Sequence, residues 1–450
     1  KKIFFPIILC KNLSSKKSIK IDIPYIGTYS EHMRKLRDLK WLYLDFNSYF
    51  ATIEQQVNPG FRKKPVAIVP SMTDYTCAIA ASYEAKKLGI KTGIMIHEAK
   101  KICPELICIQ ADHKKYIFYH HKLIREINKY IPIEQVCSID EVACKLMGKE
   151  CEPRRAIKTA INIKTAIKTN IGDYISCSIG ISSNKFLAKT ASNLQKPNGL
   201  KIINNCDLPK RLKHLRLSDL TGIGKRLEAK LLLSGISSID KLYQISPKNM
   251  RKIWGNVLGE RFWYMIRGEE VEDIETQTRT IGHSHVLHPN WRNSKKSREV
   301  MRRLVVKAAS RLRRRRFFCT NLSLSVKTNC GKKVKGKEKF RRINDSFSLL
   351  EKSDNIWERI ISANNIISIK QISVVLHGIE PIKTKQISLL KGLENSYQKK
   401  QKLISETIDR INSRFGRDSI TIGSLPSNMI EFSGTKISFT RIPEIKEFHE

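Results

Sequence analysis

Residues 42–50, Leu-Tyr-Leu-Asp-Phe-Asn-Ser-Tyr-Phe, constrain the fold more than any other stretch of the chain. Trp41, Leu42, Tyr43 and Leu44 are bulky and apolar, the pattern of a strand buried on both faces. Asp45 ends that run. An ionised carboxylate at the tip of a buried strand is costly unless something pairs with it. Asn47 or Ser48 can cap a following helix, which Ala51, Ile53, Glu54 and Val57 continue at helical spacing. Such a strand-to-helix corner can present a metal ligand. Taken alone, it reads first as a buried strand with an Asp in its turn.

The partners of Asp45 are suggested by the order of elements downstream. Short apolar runs fall at 65–69 and 76–82, followed by helical patterns at 83–88, 96–102 and 112–130. Two strands are predicted at 134–139 and 142–147, joined at Asp140-Glu141. A helix at 154–168, a strand at 174–181 and a helix at 184–194 follow. With residues 60–130 set aside as an insertion, the order is β-α-β-β-α-β, the ferredoxin-like pattern. There the first and third strands are antiparallel neighbours, so Asp45 should meet Asp140 and Glu141. Three carboxylates that close raise one another's pKa unless cations intervene. Hard oxygen ligands suit Mg²⁺, and two such ions can clamp the attacking and leaving oxygens of an in-line phosphoryl transfer. The plainer alternative is an acidic turn in solvent.

Charge supports a polyanionic partner. Lys and Arg number 83 against 42 Asp and Glu, a formal net charge of +41 over 450 residues. Abundant Lys, Ile and Asn also fit an AT-rich genome. Eleven cysteines without a CxxC pair point to reduced thiols rather than a zinc site. No apolar run of membrane-spanning length occurs. Residues 1–11 begin like a signal peptide, but the apolar run is short, holds Pro6 and is followed by Lys11.

Asp45-Phe46-Asn47-Ser48-Tyr49-Phe50, Ala81-Ser82-Tyr83-Glu84-Ala85, Ser138-Ile139-Asp140-Glu141 and Lys185-Phe186-Leu187-Ala188-Lys189 occur in that order, with Lys196-Pro197-Asn198-Gly199 close behind. Together they resemble the Y-family translesion DNA polymerases of the polymerase IV/UmuC type, over about residues 40–450. The resemblance implies an α+β multidomain protein: a right-hand polymerase with ferredoxin-like palm, small fingers, helix-hairpin-helix thumb and α/β little finger. The expected limits are an extension at 1–39 and palm with fingers at 40–206, the fingers at about 58–110. A thumb at 207–275, a linker at 276–281, a little finger at 282–380 and a tail at 381–450 complete the set.

By the same resemblance, Asp45, Asp140 and Glu141 are the catalytic carboxylates, holding two Mg²⁺ ions with the Phe46 carbonyl as a further ligand. Phe50 matches the steric gate that excludes a ribose 2′-hydroxyl, with Tyr49 the next candidate. Tyr83 and Lys185 match contacts to the incoming triphosphate. Lys86 stands where the family usually has Arg, a point charge in place of a fork. Asn47 replaces an acidic residue of some members.

Gly222-Ile223-Gly224-Lys225 lies between helical patterns and fits a helix-hairpin-helix that grips a DNA phosphate through backbone N–H groups. Arg311 and the run Arg313 to Arg316 form a dense basic stretch at the end of a helix predicted over 294–314. Arg311, Arg313 and Arg314 are read as contacts to the duplex backbone, salt-sensitive and blind to sequence. Strands are predicted at 321–327 and 369–376, and a helix at 400–415. Gln386-Ile387-Ser388-Leu389-Leu390 resembles a sliding-clamp peptide, with Gln386, Leu389 and Leu390 as anchors. Residues 434–443 resemble the group's C-terminal tail. The expected partners are primer-template DNA, dNTP and a sliding clamp, with no membrane, for a monomer of the bacterial cytoplasm and nucleoid. Two other classes compete: a non-catalytic Y-family-like DNA-binding scaffold of a mutagenesis complex, and a phosphohydrolase with Asp45 as nucleophile. Retention of three carboxylates opposes the first, and Phe50 and the basic second unit oppose the second.

Overall fold

A computed structural model describes residues 39–274, 279–364, 366–382, 396–416, 418–423 and 442. The described chain forms two compact units that divide between Glu272 and Asp273.

In the first unit, β1 (Trp41–Phe46) is buried along its whole length and leads into α1 (Tyr49–Val57). A small module follows: β2 (Val66–Val69), β3 (Ala80–Ala81), α2 (Tyr83–Lys87), α3 (Ile96–Ile102) and β4 (Ile107–Gln110). Its sheet order is β3-β2-β4, with β2 and β4 parallel. Of the apolar run 76–82, only Ala80 and Ala81 become strand, since most of it is loop packed against the module's own core. α4 (His113–Ile127), β5 (Ile133–Val136) and β6 (Glu141–Lys145) return the chain to β1. Then come α5 (Pro153–Asn170), β7 (Cys177–Ser182), α6 (Lys185–Leu194) and β8 (Leu200–Ile203).

The main sheet runs β5-β6-β1-β7-β8. Its first four strands have the ferredoxin-like order, each antiparallel to its neighbour, which sets β1 between β6 and β7. β8, parallel to β7, is a fifth strand the sequence pattern did not show. At Gly180 a Cβ would stand 1.9 Å from the Ala188 carbonyl, so only glycine lets α6 lie this close to β7.

A helical region completes the unit: α7 (Lys225–Leu233), α8 (Ile239–Gln244), α9 (Pro247–Trp254) and α10 (Val257–Ile266) around Leu231, Leu242, Met250 and Phe262. It is joined to the palm through Asn184, whose Nδ2 donates to the Met265 and Glu269 carbonyls at 2.8 Å each.

The second unit holds β9 (Thr280–Val286), α11 (Ser294–Arg314), β10 (Phe317–Thr328), β11 (Lys333–Ile343), α12 (Ser346–Asn364), β12 (Ile369–His377), β13 (Glu380–Pro381) and α13 (Ser396–Phe415). The sheet order is β11-β10-β12-β9. Alternate residues Leu322, Leu324 and Val326 face the core with α11 and α12, and among the described residues the other face is open. β9 starts at Thr280, inside the expected linker. α13 lies within the expected tail yet is bonded into this unit: Ser405 Oγ accepts from the Ser346 N–H, and Asp409 pairs with Arg313. β9, β11 and α12 were not anticipated from sequence.

Candidate active site

β1 and β6 pair so that Asp45 is in register with Glu141. The Phe46 N–H donates to the Asp140 carbonyl at 2.8 Å, which ties the turn before β6 to the end of β1. Asp45 therefore shares one end of the sheet with Asp140 and Glu141, neighbours that lie far from it in sequence. Ser138 Oγ donates to Asp140 Oδ1 at 2.5 Å. His120, buried on α4, has Nδ1 2.8 Å from the Ile139 carbonyl, and burial holds its imidazole down at about 4, so it is a neutral donor.

The carboxylates bear the electrostatic mark of crowding. Burial pushes Asp45 up to about 6 against the opposing pull of Lys196, with Glu141 and Asp140 adding repulsion. Asp140 is also raised, chiefly by burial. Lys196 Nζ donates to Asp45 Oδ2 at 2.5 Å, and Lys189 Nζ to Glu141 Oε2 at 2.8 Å. Among the described residues no acidic, His or Cys cluster is closed into a ready metal cage. Lys196 and Lys189 each hold one oxygen of these carboxylates. Buried, mutually repelling oxygen donors with lysine counter-charges fit a hard divalent cation such as Mg²⁺.

Tyr83 and Lys86 stand on α2 at the rim. Burial, with Asp45 next in effect, pushes the Tyr83 phenol up to about 12. Lys86 Nζ donates to Ser48 Oγ at 2.6 Å and lies 4.7 Å from the Tyr83 ring centroid. Phe50 is half-buried and stacks on Tyr116, centroids 4.4 Å apart and planes 16° from parallel. Tyr116 is held in turn by Glu54, which accepts its hydroxyl at 2.9 Å and Lys115 Nζ at 2.8 Å.

Several expected roles move. Tyr49 is buried and spends its hydroxyl on the Tyr116 carbonyl at 2.7 Å, so it faces the core rather than a nucleotide. Lys185 Nζ is 2.7 Å from Gln135 Oε1 on the β5 side, whereas Lys196, quoted in a motif but given no role, reaches Asp45. Lysine spacing alone cannot tell which of Lys185, Lys189 and Lys196 points inward. That depends on the phase of α6 and the loop after it.

Gly222 has φ of +91° and Gly224 opens α7; both are exposed, with open space where a Cβ would be. Leu220 and Ile223 anchor the loop in the core, and Lys225 and Arg226 are exposed at the helix start. The element before the loop is one 3₁₀ turn, Leu217–Asp219, where a helix was expected.

The structure does not place Arg311, Arg313 and Arg314 together on an exposed surface, as the expected duplex contact would need. Arg313 is buried: its guanidinium meets Asp409, donates to the Asn344 carbonyl at 2.8 Å and reaches Ser346 Oγ at 3.0 Å. Arg311 is half-buried and Arg314 exposed at the end of α11, a helix packed on the covered face of the sheet. The basic row lies elsewhere. Lys333, Lys335, Lys337 and Lys339 alternate along β11, all exposed, opposite Lys327, Ser325, Ser323 and Asn321 on the open face. The period-two pattern Lys-Val-Lys-Gly-Lys-Glu-Lys-Phe was the signal for it. Gln386, Leu389 and Leu390, residues 434–441 and the 1–38 extension lie outside the described residues.

In the first unit, a ferredoxin-like sheet brings three carboxylates to one strand end beside α2, and the second unit separately carries a basic strand. Residues 44–193 match the impB/mucB/samB family and residues 278–389 its C-terminal domain, together more than half the chain. DNA polymerase IV of Moorella thermoacetica is 27% identical over 393 residues, covering 84% of this chain and 94% of that protein. DNA polymerase IV of Clostridium kluyveri is 28% identical, with 85% and 97% covered. Among solved structures, a chimeric Y-family DNA polymerase superposes with a TM-score of 0.65 at 20% identity, over 76% of this chain and 99% of that one. The chain belongs to this family, the Y-family translesion DNA polymerases. Among the described residues, no helix is long and apolar enough to cross a membrane.

Proposed function

We propose that the protein is a template-directed DNA polymerase of the translesion type, adding deoxynucleotides to a primer 3′ end during damage bypass. The observation that carries this is the pairing of Asp45 with Glu141 beside Asp140, at the strand end where Lys196 holds Asp45. Asp45, Asp140 and Glu141, with the Phe46 carbonyl, would hold two Mg²⁺ ions. These ions supply charge stabilisation at the attacking and leaving oxygens when bound. Lys196, Lys86 and Tyr83 line the side from which a triphosphate would be held, and Phe50, backed by Tyr116, meets the sugar.

DNA is held by phosphate contacts at Gly222, Gly224 and Lys225 and along the β11 lysine row, with Arg314 a peripheral contributor. Gln386, Leu389 and Leu390 dock on a sliding clamp, which raises the effective concentration at the primer end. Primer extension with Mg²⁺ tests the reading. Asp140→Ala with Glu141→Ala abolishes nucleotide transfer while leaving duplex binding near wild type. Extension by that double variant would rule out the assignment, and inactivity of the wild-type chain on every primer-template would favour the scaffold reading.

A further inference from the structure

We propose that Tyr43 is a positioning residue for metal binding: with Lys189 it fixes Glu141 so that one carboxylate oxygen is committed to the protein and the other is presented to the cation. This rests on the reading of Asp45, Asp140 and Glu141 as the metal cage.

Tyr43 stands two residues before Asp45, on the same face of β1. Its hydroxyl donates to Glu141 Oε2 at 2.9 Å, and Lys189 Nζ donates to that same oxygen at 2.8 Å. Lys189 Nζ also lies 5.5 Å from the centroid of the Tyr43 ring, so the three side chains brace one another. The ring has no freedom to turn away. It is buried against Trp41, Ala143 and Ala188, with its backbone paired to Ala143 on β6 and Gly180 on β7.

Two donors on Oε2 leave Oε1 as the oxygen available for a ligand bond. Mg²⁺ demands near-ideal octahedral geometry and gives up water reluctantly, so a carboxylate already oriented binds it better than a rotating one. Partners that orient a ligand in this way typically change metal affinity or activity by about 10–100-fold. Tyr43 lies outside the motif that begins at Asp45, and only the cross-strand geometry shows its role.

The test is a Mn²⁺ titration followed by electron paramagnetic resonance. It uses the full chain on a dideoxy-terminated primer-template with the complementary dNTP, so that no turnover occurs. Tyr43→Phe keeps the ring and the net charge and removes only the donor. The expected result is a Mn²⁺ affinity weakened by about 10–100-fold, with melting temperature and duplex affinity as in wild type. Unchanged affinity would overturn the proposal.

Lys189→Met provides a second, independent decision, including the case where Tyr43→Phe fails to fold. Removing a cation beside a metal site favours the metal on charge alone, whereas loss of orientation disfavours it. Weaker binding supports the proposal and tighter binding overturns it. The Asp140→Ala, Glu141→Ala variant separates the underlying reading: if it binds Mn²⁺ like wild type, the cage itself is misplaced.

Discussion

Lys196 Nζ stands 2.5 Å from Asp45 Oδ2, although 151 positions separate the two residues. The ion pair opposes the burial that otherwise drives Asp45 toward its neutral form. A carboxylate must be ionised to bind a cation, so metal binding and turnover fall as pH drops through the Asp45 pKa of about 6. Removing Lys196 removes a downward influence on that pKa. In Lys196→Gln the acid limb of the pH–rate profile moves to higher pH. If Lys196 also holds the triphosphate as proposed, the same variant should lose a charge-assisted contact worth roughly 1.5–3 kcal/mol, or about 10–100-fold in kcat/KM. Lys196→Arg restores most of both. A dNTP titration at several pH values measures the two effects, and an unmoved acid limb would detach Lys196 from Asp45.

Phe50 and Tyr116 form a stacked wall rather than a lone gate. Phe50→Ala opens the sugar site and should raise relative ribonucleotide incorporation by at least about 10–200-fold, the range for one misfitting group in a packed pocket. Tyr116→Leu removes the flat support and the bond to Glu54 while leaving Phe50 in place, so it should give an intermediate loss of discrimination. Competition between dATP and ATP on one template reads both. Wild-type discrimination in Phe50→Ala would move the gate elsewhere.

His120 links stability to the catalytic turn. Its folded pKa, about 4, lies below the ordinary imidazole value, so the unfolded chain binds the proton more readily. The stabilisation is therefore complete above about pH 6.5 and is lost as pH falls toward about 4. His120→Asn keeps a donor to the Ile139 carbonyl and deletes the titration. Its stability should depend less on pH across that window, by up to about 1.4 kcal/mol per pH unit. Urea melts from pH 4 to 7 check this, and parallel curves would show that His120 charges freely in the folded state.

The palm was legible because local and long-range signals agreed. The apolar run at 41–44 had to be a buried strand, and the β-α-β-β-α-β order then carried Asp45 to Glu141. Side-chain direction was less legible. Tyr49 and Phe50 are adjacent aromatics on a helix, and only packing against α4 decides that Tyr49 turns inward while Phe50 faces the site. The arginine run misled for a similar reason. Arginine density reads as surface, but a long helix end packed under α13 buries Arg313 against Asp409, a partner 96 positions away. The lysine row on β11 was readable by its alternation, yet its polar, glycine-containing sequence lacks the apolar content that usually marks a strand.

The two basic features separate cleanly in a salt titration. Each phosphate neutralised contributes about −0.9 to the slope of log K against log salt. Lys333, Lys335, Lys337 and Lys339 project from an open face whose opposite residues are themselves polar or basic. Replacing all four by Gln should lower the magnitude of that slope by about 3–4 and weaken binding alike on unrelated sequences, with little change in melting temperature. Arg313→Gln should behave in the opposite way. It leaves Asp409 without its buried partner and takes the guanidinium from the Asn344 carbonyl and Ser346, so stability falls by roughly 3–5 kcal/mol. Its salt slope should match wild type while the chain stays folded. Fluorescence anisotropy on a labelled duplex from 50 to 300 mM salt (roughly the range where such contacts dominate), paired with thermal melts, distinguishes the two. A steep loss of slope in Arg313→Gln with unchanged melting would return the duplex contact to the end of α11.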